Sequence, residues 1–103
     1  MYVVERLMTR PNSTVTFLKM NDSLVSEEVK EHWLLNYKSN GKCIHVDMTE
    51  SETELSIIEY WDQESYYNEY MSDPYMIANL FNLRTQYWTT NNITNQFLRQ
   101  ETI

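Results

Sequence analysis

Glu59-Tyr60-Trp61-Asp62-Gln63-Glu64-Ser65-Tyr66-Tyr67-Asn68-Glu69-Tyr70-Met71-Ser72-Asp73-Pro74-Tyr75 is the stretch on which the fold turns. It opens as the end of an apolar run, Leu55–Trp61, whose β-branched and aromatic residues suit a pleated strand. The spacing then becomes helical. Tyr66, Tyr67, Tyr70 and Met71 fall on one side, and Gln63, Glu64, Asn68 and Glu69 on the other. Asp73-Pro74 punctuates it. An Asp carboxylate accepts from a free N–H of the turn that follows, and Pro fits the first helical position, where no N–H is needed. A short helix over about Gln63–Met71 is therefore followed by a second, starting at Pro74.

Outward from this stretch, the chain alternates in pattern. Tyr2–Met8 reads as a first strand, and Pro11-Asn12-Ser13 as a bend. Val15–Leu18 is extended, either as an extra strand or as the first one resumed after a kink. A helix follows, with Asp22, Ser23 and Ser26 competing to cap it and Glu27 and Glu28 in its first turn. Its stripe is Val25, Val29, Trp33 and Tyr37, widened by Leu34 and Leu35, and Asn40-Gly41 ends it. Lys42–Met48 and Thr53–Trp61 form a hairpin. A two-residue loop at Ser51-Glu52 would pair Val46 with Ile57 and Ile44 with Glu59. That register gathers Ile44, Val46, Met48, Leu55 and Ile57 on one face and Cys43, His45, Asp47, Ile58 and Tyr60 on the other. The helix from Pro74 runs to about Thr89 on a stripe of Ile77, Leu80, Phe81, Arg84 and Trp88. Asn91-Asn92 breaks it, and Ile93–Leu98 supplies a last strand, with Gln100–Ile103 continuing it or fraying. The order is β–α–β–β–α–β, two β–α halves that fit a ferredoxin-like α+β unit.

The totals narrow the function. The 103 residues make one domain, 1–103, with a single core. Eight Lys and Arg stand against 15 Asp and Glu, a net charge of −7. A surface so acidic cannot neutralise phosphates, which argues against nucleic acid and anionic membrane as partners. The single Cys43 excludes an intrachain disulfide and a cysteine-based metal cluster. The N-terminal residues lack a signal-peptide pattern, and no apolar stretch reaches membrane-spanning length, so the expected location is the cytoplasm. The Asn-x-Ser/Thr triplets at Asn12, Asn21 and Asn92 then carry no meaning. No cofactor is implied, and there is no phosphate loop, nucleotide fingerprint or Ser/His/Asp set.

The quoted stretch also resembles a known family. A strand ending Glu-x-Trp, a short helix, an aromatic–Met pair and Asp-Pro before another aromatic is similar to the dimeric α/β-barrel superfamily. Within it, the pattern is nearest to the antibiotic-biosynthesis monooxygenase and stress-responsive barrel domains. It is read in Glu59, Trp61, Tyr70, Met71, Pro74 and Tyr75. The resemblance implies an antiparallel ferredoxin-like sheet with two main helices on one face, the second interrupted at Asp73-Pro74. It further implies a homodimer closed sheet to sheet, and one activity in reach is a cofactor-independent monooxygenation of an aromatic or quinol-like substrate. The family pattern often places histidines near the aromatic–Met pair. Tyr70 and Tyr75 stand there in this chain, so haem binding, haem degradation and histidine-assisted oxygenation do not carry over.

Few residues suggest chemistry directly. Cys43, His45 and Asp47 share a strand face at spacing two, but three side chains on one strand point in parallel rather than converging on an ion. His32 lies beside the apolar stripe of the first helix, where a histidine is more often partly solvated or bonded to a neighbour than catalytic. Glu59 falls on an apolar face, where a carboxylate needs a partner, and Arg84 interrupts the stripe of the last helix, suggesting a buried Glu59–Arg84 pair. Glu59 and His45 are the candidates for a catalytic base. The aromatics exceed what a core this size requires. Trp33, Tyr37, Trp61, Tyr70, Phe81 and Trp88 are expected to line a pocket at the helix–sheet boundary, suited to a long acyl chain or a flat ring. The competing reading fills that space with side chains and leaves an interaction module.

Overall fold

A computed structural model describes all 103 residues, Met1–Ile103. Strand β1 (Tyr2–Thr9) leads through an irregular segment to helix α1 (Glu27–Trp33), which passes directly into a π-helical turn, Leu34–Lys38. The hairpin β2 (Cys43–Glu50) and β3 (Glu54–Trp61) follows, then α2 (Glu64–Met71) and α3 (Pro74–Met76). A second π-helical turn (Ile77–Phe81), α4 (Asn82–Asn91) and β4 (Thr94–Thr102) complete the chain. The four strands form one sheet in the order β2-β3-β1-β4, every neighbouring pair antiparallel. This is the ferredoxin-like arrangement expected from the βαββαβ order, with the second helical segment interrupted at Asp73-Pro74.

The caps explain where the helices begin. Of the three residues competing to cap α1, Ser26 does so, its side chain accepting from the Val29 N–H at 3.2 Å. Asp73 caps α3, its Oδ1 accepting from Tyr75 N at 2.9 Å and Met76 N at 3.3 Å, with Pro74 at the first helical position. Gly41 takes φ of 78° after the first helical segment, and Asn92, with φ of 56°, closes α4 as a left-handed cap.

Alternation along β1 and β3 fixes the two faces of the sheet. Tyr2, Val4, Arg6 and Met8, paired with Trp61, Glu59, Ile57 and Leu55, face the helices. There a large core cluster joins Val4, Val25, Val29, Tyr37, Trp61 and Tyr70 to Leu80 and Phe81, while a smaller one holds Met8, Phe17, Leu55, Ile57 and Ile93. The other face carries Val3, Leu7, Ile58 and Tyr60 and no helix of this chain. It is less apolar than the hairpin pattern implies, because the ion pairs Glu5–Arg99 (3.6 Å) and His45–Asp47 (2.6 Å) share it.

Three expectations are corrected. The hairpin register is two residues away: Val46 pairs with Glu59 and Met48 with Ile57. The turn is wider than two residues, closed by Ser51 N donating to Glu54 O at 2.8 Å. Arg10 holds it open, its guanidinium donating to the carbonyls of Ser51, Glu52 and Val15 at 2.8–2.9 Å. A shift of two keeps the faces, but a β-bulge between Cys43 and His45 does not. Cys43 enters the core opposite Trp61, His45 points to the uncovered face, and Ile44 is largely exposed. Finally, Val15–Leu18 belongs to no strand. It crosses outside the sheet, with Phe17 and Leu18 buried. Of the two readings of Gln100–Ile103, the fold takes continuation: β4 runs to Thr102, with a bulge opposite Glu5 and Arg6.

Candidate functional site

A cavity of about 240 Å³ lies between the helix-bearing face of the sheet and the helices. Its apolar wall comes from Met8, Ile57, Val46 and Met48 of the strands, Leu80 of the second π-helical turn, and Leu18 and Met20 of the irregular segment. Trp33 and Tyr70 give it an aromatic end. Met48 and His45, both largely exposed, mark its mouth at the edge strand β2. An open groove of about 470 Å³ on the outer side shares Met20 and Trp33 with it and is otherwise bordered by Asn21, Glu27, Lys30, Glu31 and Leu34.

Charge is distributed unevenly around this cavity. Arg6, Arg84, Lys19 and Lys38 line it, against Glu59 alone among the acids. Arg6 and Glu59 face one another at 3.7 Å, both nearly sealed from solvent, an ion pair too long to be a hydrogen bond. The expected Glu59–Arg84 pair is therefore corrected. β1 and β3 are neighbours in the sheet, and the register sets Arg6 within reach of Glu59, whereas Arg84 approaches from α4 and stacks over the rings of Phe81 (4.9 Å) and Trp88 (5.0 Å). The Arg84 Nε is buried without a hydrogen-bond partner. Burial, then the neighbouring Arg6, holds the Arg84 guanidinium below its ordinary value. Lys19 pairs with Glu50, and Lys38 donates to the Ile44 carbonyl at 3.2 Å.

Of the six aromatics expected on a pocket wall, Trp33 and Tyr70 line the cavity. Tyr37, Trp61, Phe81 and Trp88 do not. Tyr37, Trp61 and Phe81 pack behind Tyr70, whose ring centroid lies 5.0 Å from Tyr37, 5.3 Å from Trp61 and 5.1 Å from Phe81. Trp88 packs against the smaller core cluster around Met8 and Leu55. Periodicity marks which side of a helix is buried but not whether a side chain ends in the core or at a void. Burial, followed by the field of Glu59, raises the Tyr70 hydroxyl well above the ordinary tyrosine value, so it stays protonated.

Glu59 stands in the wall, as a candidate base must. His45 reaches only the mouth. Its Nε2 lies 2.6 Å from Asp47 Oδ1, and its ring stacks on Tyr60 at 6.0 Å. Because the bulge turns Cys43 inward, the Cys43–His45–Asp47 cluster is divided between the two faces. His32 is bonded to a neighbour: Nε2 lies 2.8 Å from Asp73 Oδ2, which also accepts from the Tyr37 hydroxyl, and its ring stacks on Tyr75 at 4.4 Å. Burial works to raise the Asp73 carboxyl, but bonds from Tyr37, His32, Met76 N and Tyr75 N outweigh it and hold the carboxyl below its ordinary value.

The sequence reading missed Arg6. An arginine among Val4, Leu7 and Met8 at an inward strand position is the signal that was available, since a charge there is seldom buried unless paired.

No family model matches the chain, and no curated protein matches it. A solved structure similar to it is a Deinococcus radiodurans protein described as a "putative antibiotic biosynthesis monooxygenase". The likeness covers 98% of this chain and 94% of that one, at 11% identity and a TM-score of 0.47. Values this low bear on neither activity nor individual residues. No helix is long and apolar enough to cross a membrane.

Proposed function

We propose that this protein binds a small, largely apolar molecule between sheet and helices. The cavity walled by Met8, Leu18, Val46, Ile57 and Leu80, with Trp33 and Tyr70 at one end, carries the reading. At a liquid share of roughly 30 Å³ per water, its 240 Å³ equals about eight waters, or a ligand of about ten non-hydrogen atoms. A medium-length chain or a one- or two-ring system fits; a long acyl chain would have to leave through the mouth at β2. Burying about 200 Å² of apolar ligand surface contributes roughly 5 kcal/mol before the costs of association, so burial alone gives binding no tighter than about 0.2 mM and polar contacts must supply the rest. Native mass spectrometry of protein purified from cells tests this, together with the response of Trp33 fluorescence to added fatty acids and aromatics. A co-purifying apolar molecule supports it. Bare protein with unresponsive fluorescence defeats it and leaves an interaction module.

The same reading includes a homodimer. Leu7, Ile58 and Tyr60 stay part-exposed on the sheet face that has no helix over it, and a second copy packed there would remove that apolar surface from water. Sedimentation velocity at micromolar concentration distinguishes dimer from monomer, and a monomer refutes this part.

A second reading, cofactor-independent monooxygenation, is favoured by one observation: the Glu59 carboxylate stands in the cavity wall beside Arg6. Glu59 would take a proton from a phenolic or quinol-like substrate. The substrate would give all four electrons to dioxygen: a ring C–H becomes C=O, one oxygen atom is kept as that quinone carbonyl, and the other leaves as water with the hydrogens lost from the ring carbon and the hydroxyl. Oxygen uptake on a panel of dihydroxyaromatics tests it. Uptake unaffected by Glu59→Gln and His45→Ala, or none at all, removes it.

A further inference from the structure

The chain carries −7 overall, yet its basic residues gather at one place. Four of its eight lysines and arginines line the cavity, against one of its fifteen acids. Within the cavity Arg6 and Glu59 offset one another across 3.7 Å. The rim lysines are engaged, Lys19 with Glu50 and Lys38 with the Ile44 carbonyl. His45 at the mouth is engaged with Asp47. That leaves Arg84. No acid forms an ion pair with it, and its Nε is buried with no acceptor. Stacking over Phe81 at 4.9 Å and Trp88 at 5.0 Å positions the guanidinium plane but satisfies none of its in-plane N–H donors. Arg84 as a whole is part-exposed, but a guanidinium whose Nε is buried without an acceptor is costly unless something supplies one.

We infer that the ligand is an amphipathic monoanion, a carboxylate on an apolar body of about ten non-hydrogen atoms, with its head on Arg84 and its body along Met8, Leu18, Met48 and Ile57. The inference rests on the binding reading above and sharpens it. An arginine fork matches the two oxygens of a carboxylate, the one guanidinium with free donors calls for one such group, and Lys38, whose charge the neutral Ile44 carbonyl does not cancel, adds positive charge at the rim. Arg6, already facing Glu59, reinforces the site's sign. Glu59 disfavours a dianion and, without Arg84, would have favoured an amine.

The test uses two matched sets in isothermal titration calorimetry: octanoate, octanol and octylamine, then 1-naphthoate and 1-naphthalenemethanol. A charge-assisted, two-pronged bond corresponds to a preference of at least about tenfold, so each acid binds wild type that much tighter than its alcohol, and octylamine binds weakest. In Arg84→Gln the preference falls to within about threefold, and an unchanged far-ultraviolet circular dichroism spectrum and melting transition show that the variant is folded. Arg84→Lys, which keeps the charge and loses the fork, gives an intermediate preference. The preference in wild type is read independently of either variant. Acid and alcohol binding wild type alike overturns the inference and leaves the binding reading standing. A preference for octylamine overturns it in favour of Glu59. A preference that survives Arg84→Gln removes Arg84 as the head-group site. If none of the five binds, the binding reading itself falls, and the inference with it.

Discussion

Asp73 joins three parts of the fold, and its removal gives a prediction that can be worked through. Its Oδ1 caps α3 through Tyr75 N and Met76 N, while its Oδ2 accepts from the Tyr37 hydroxyl and lies 2.8 Å from His32 Nε2. One carboxylate thus ties the first helical segment to the start of the second. In Asp73→Ala the lost cap costs about 1 kcal/mol. Loss of the bonds to Tyr37 and His32 costs about 1 kcal/mol each, more where the Tyr37 hydroxyl is left buried and unpaired. The sum is about 3 kcal/mol, a fall in Tm of roughly 12 to 24 °C for a domain of this size. Asp73→Asn keeps the cap oxygen but places an NH2 donor where Oδ2 accepts from the Tyr37 hydroxyl, so it forfeits the tie to Tyr37 and His32 but not the cap, at a cost of about 2 kcal/mol. The carboxyl's folded value lies below its ordinary 3.8, so its contribution is fully present above 3.8 and fades as pH falls through the lower folded value. Calorimetry or thermal circular dichroism of the three proteins at pH 7, repeated down to pH 3, measures all of this. An Asp73→Ala variant melting within about 3 °C of wild type at neutral pH, or an Asp73→Asn variant as damaged as Asp73→Ala, refutes the reasoning.

Arg10→Met removes the donors that hold the carbonyls of Ser51, Glu52 and Val15; urea denaturation is expected to show a loss of about 2 to 3 kcal/mol, with retained secondary structure confirming that the hairpin itself survives. Cys43 is enclosed beside Trp61, and burial, with Glu59 adding to it, pushes its thiol up to about 12. Ellman's reagent at pH 8 should therefore react slowly with native protein and promptly in guanidinium, and equal rates would contradict the buried placement. Glu59→Gln removes the acid from the cavity wall and leaves Arg6 without its partner, so stability falls by about 1 to 3 kcal/mol while octanoate binds severalfold tighter by calorimetry.

Much of this architecture was legible in the residues. Element order followed from periodicity, and Asp73-Pro74 announced its own cap because both residues act through local backbone geometry. What escaped was what chain-distant partners decide. The hairpin register depends on Arg10, forty residues away, spreading the turn, and nothing within Glu50–Glu54 reports that. The bulge after Cys43 inverts the alternation for a single residue, so Cys43 and His45 read as neighbours on one face while the fold separates them. Arg84 was visible as a break in an apolar stripe, but its partner was misassigned because sheet order sets Arg6, not Arg84, against Glu59. Of the six aromatics read as a pocket wall, two line the cavity, because an aromatic on a buried stripe is the same letter whether it meets another side chain or a void.

The second π-helical turn bears on how this chain can change in length. A single residue removed from an ordinary α-helix rotates everything beyond it by about 100° and turns the buried stripe toward water. At Ile77–Phe81, between α3 and α4, one extra residue is already absorbed in a wider turn, so the stripes before and after stay in phase as if it were absent, whereas Leu34–Lys38 ends its helix and has no stripe after it. A deletion within Ile77–Phe81 would restore the α-helical ladder and leave both flanks where they are. Leu80, which this turn presents to the cavity, can therefore be altered by shortening as well as by substitution, so one border of the ligand space is also where the helix tolerates loss of a residue.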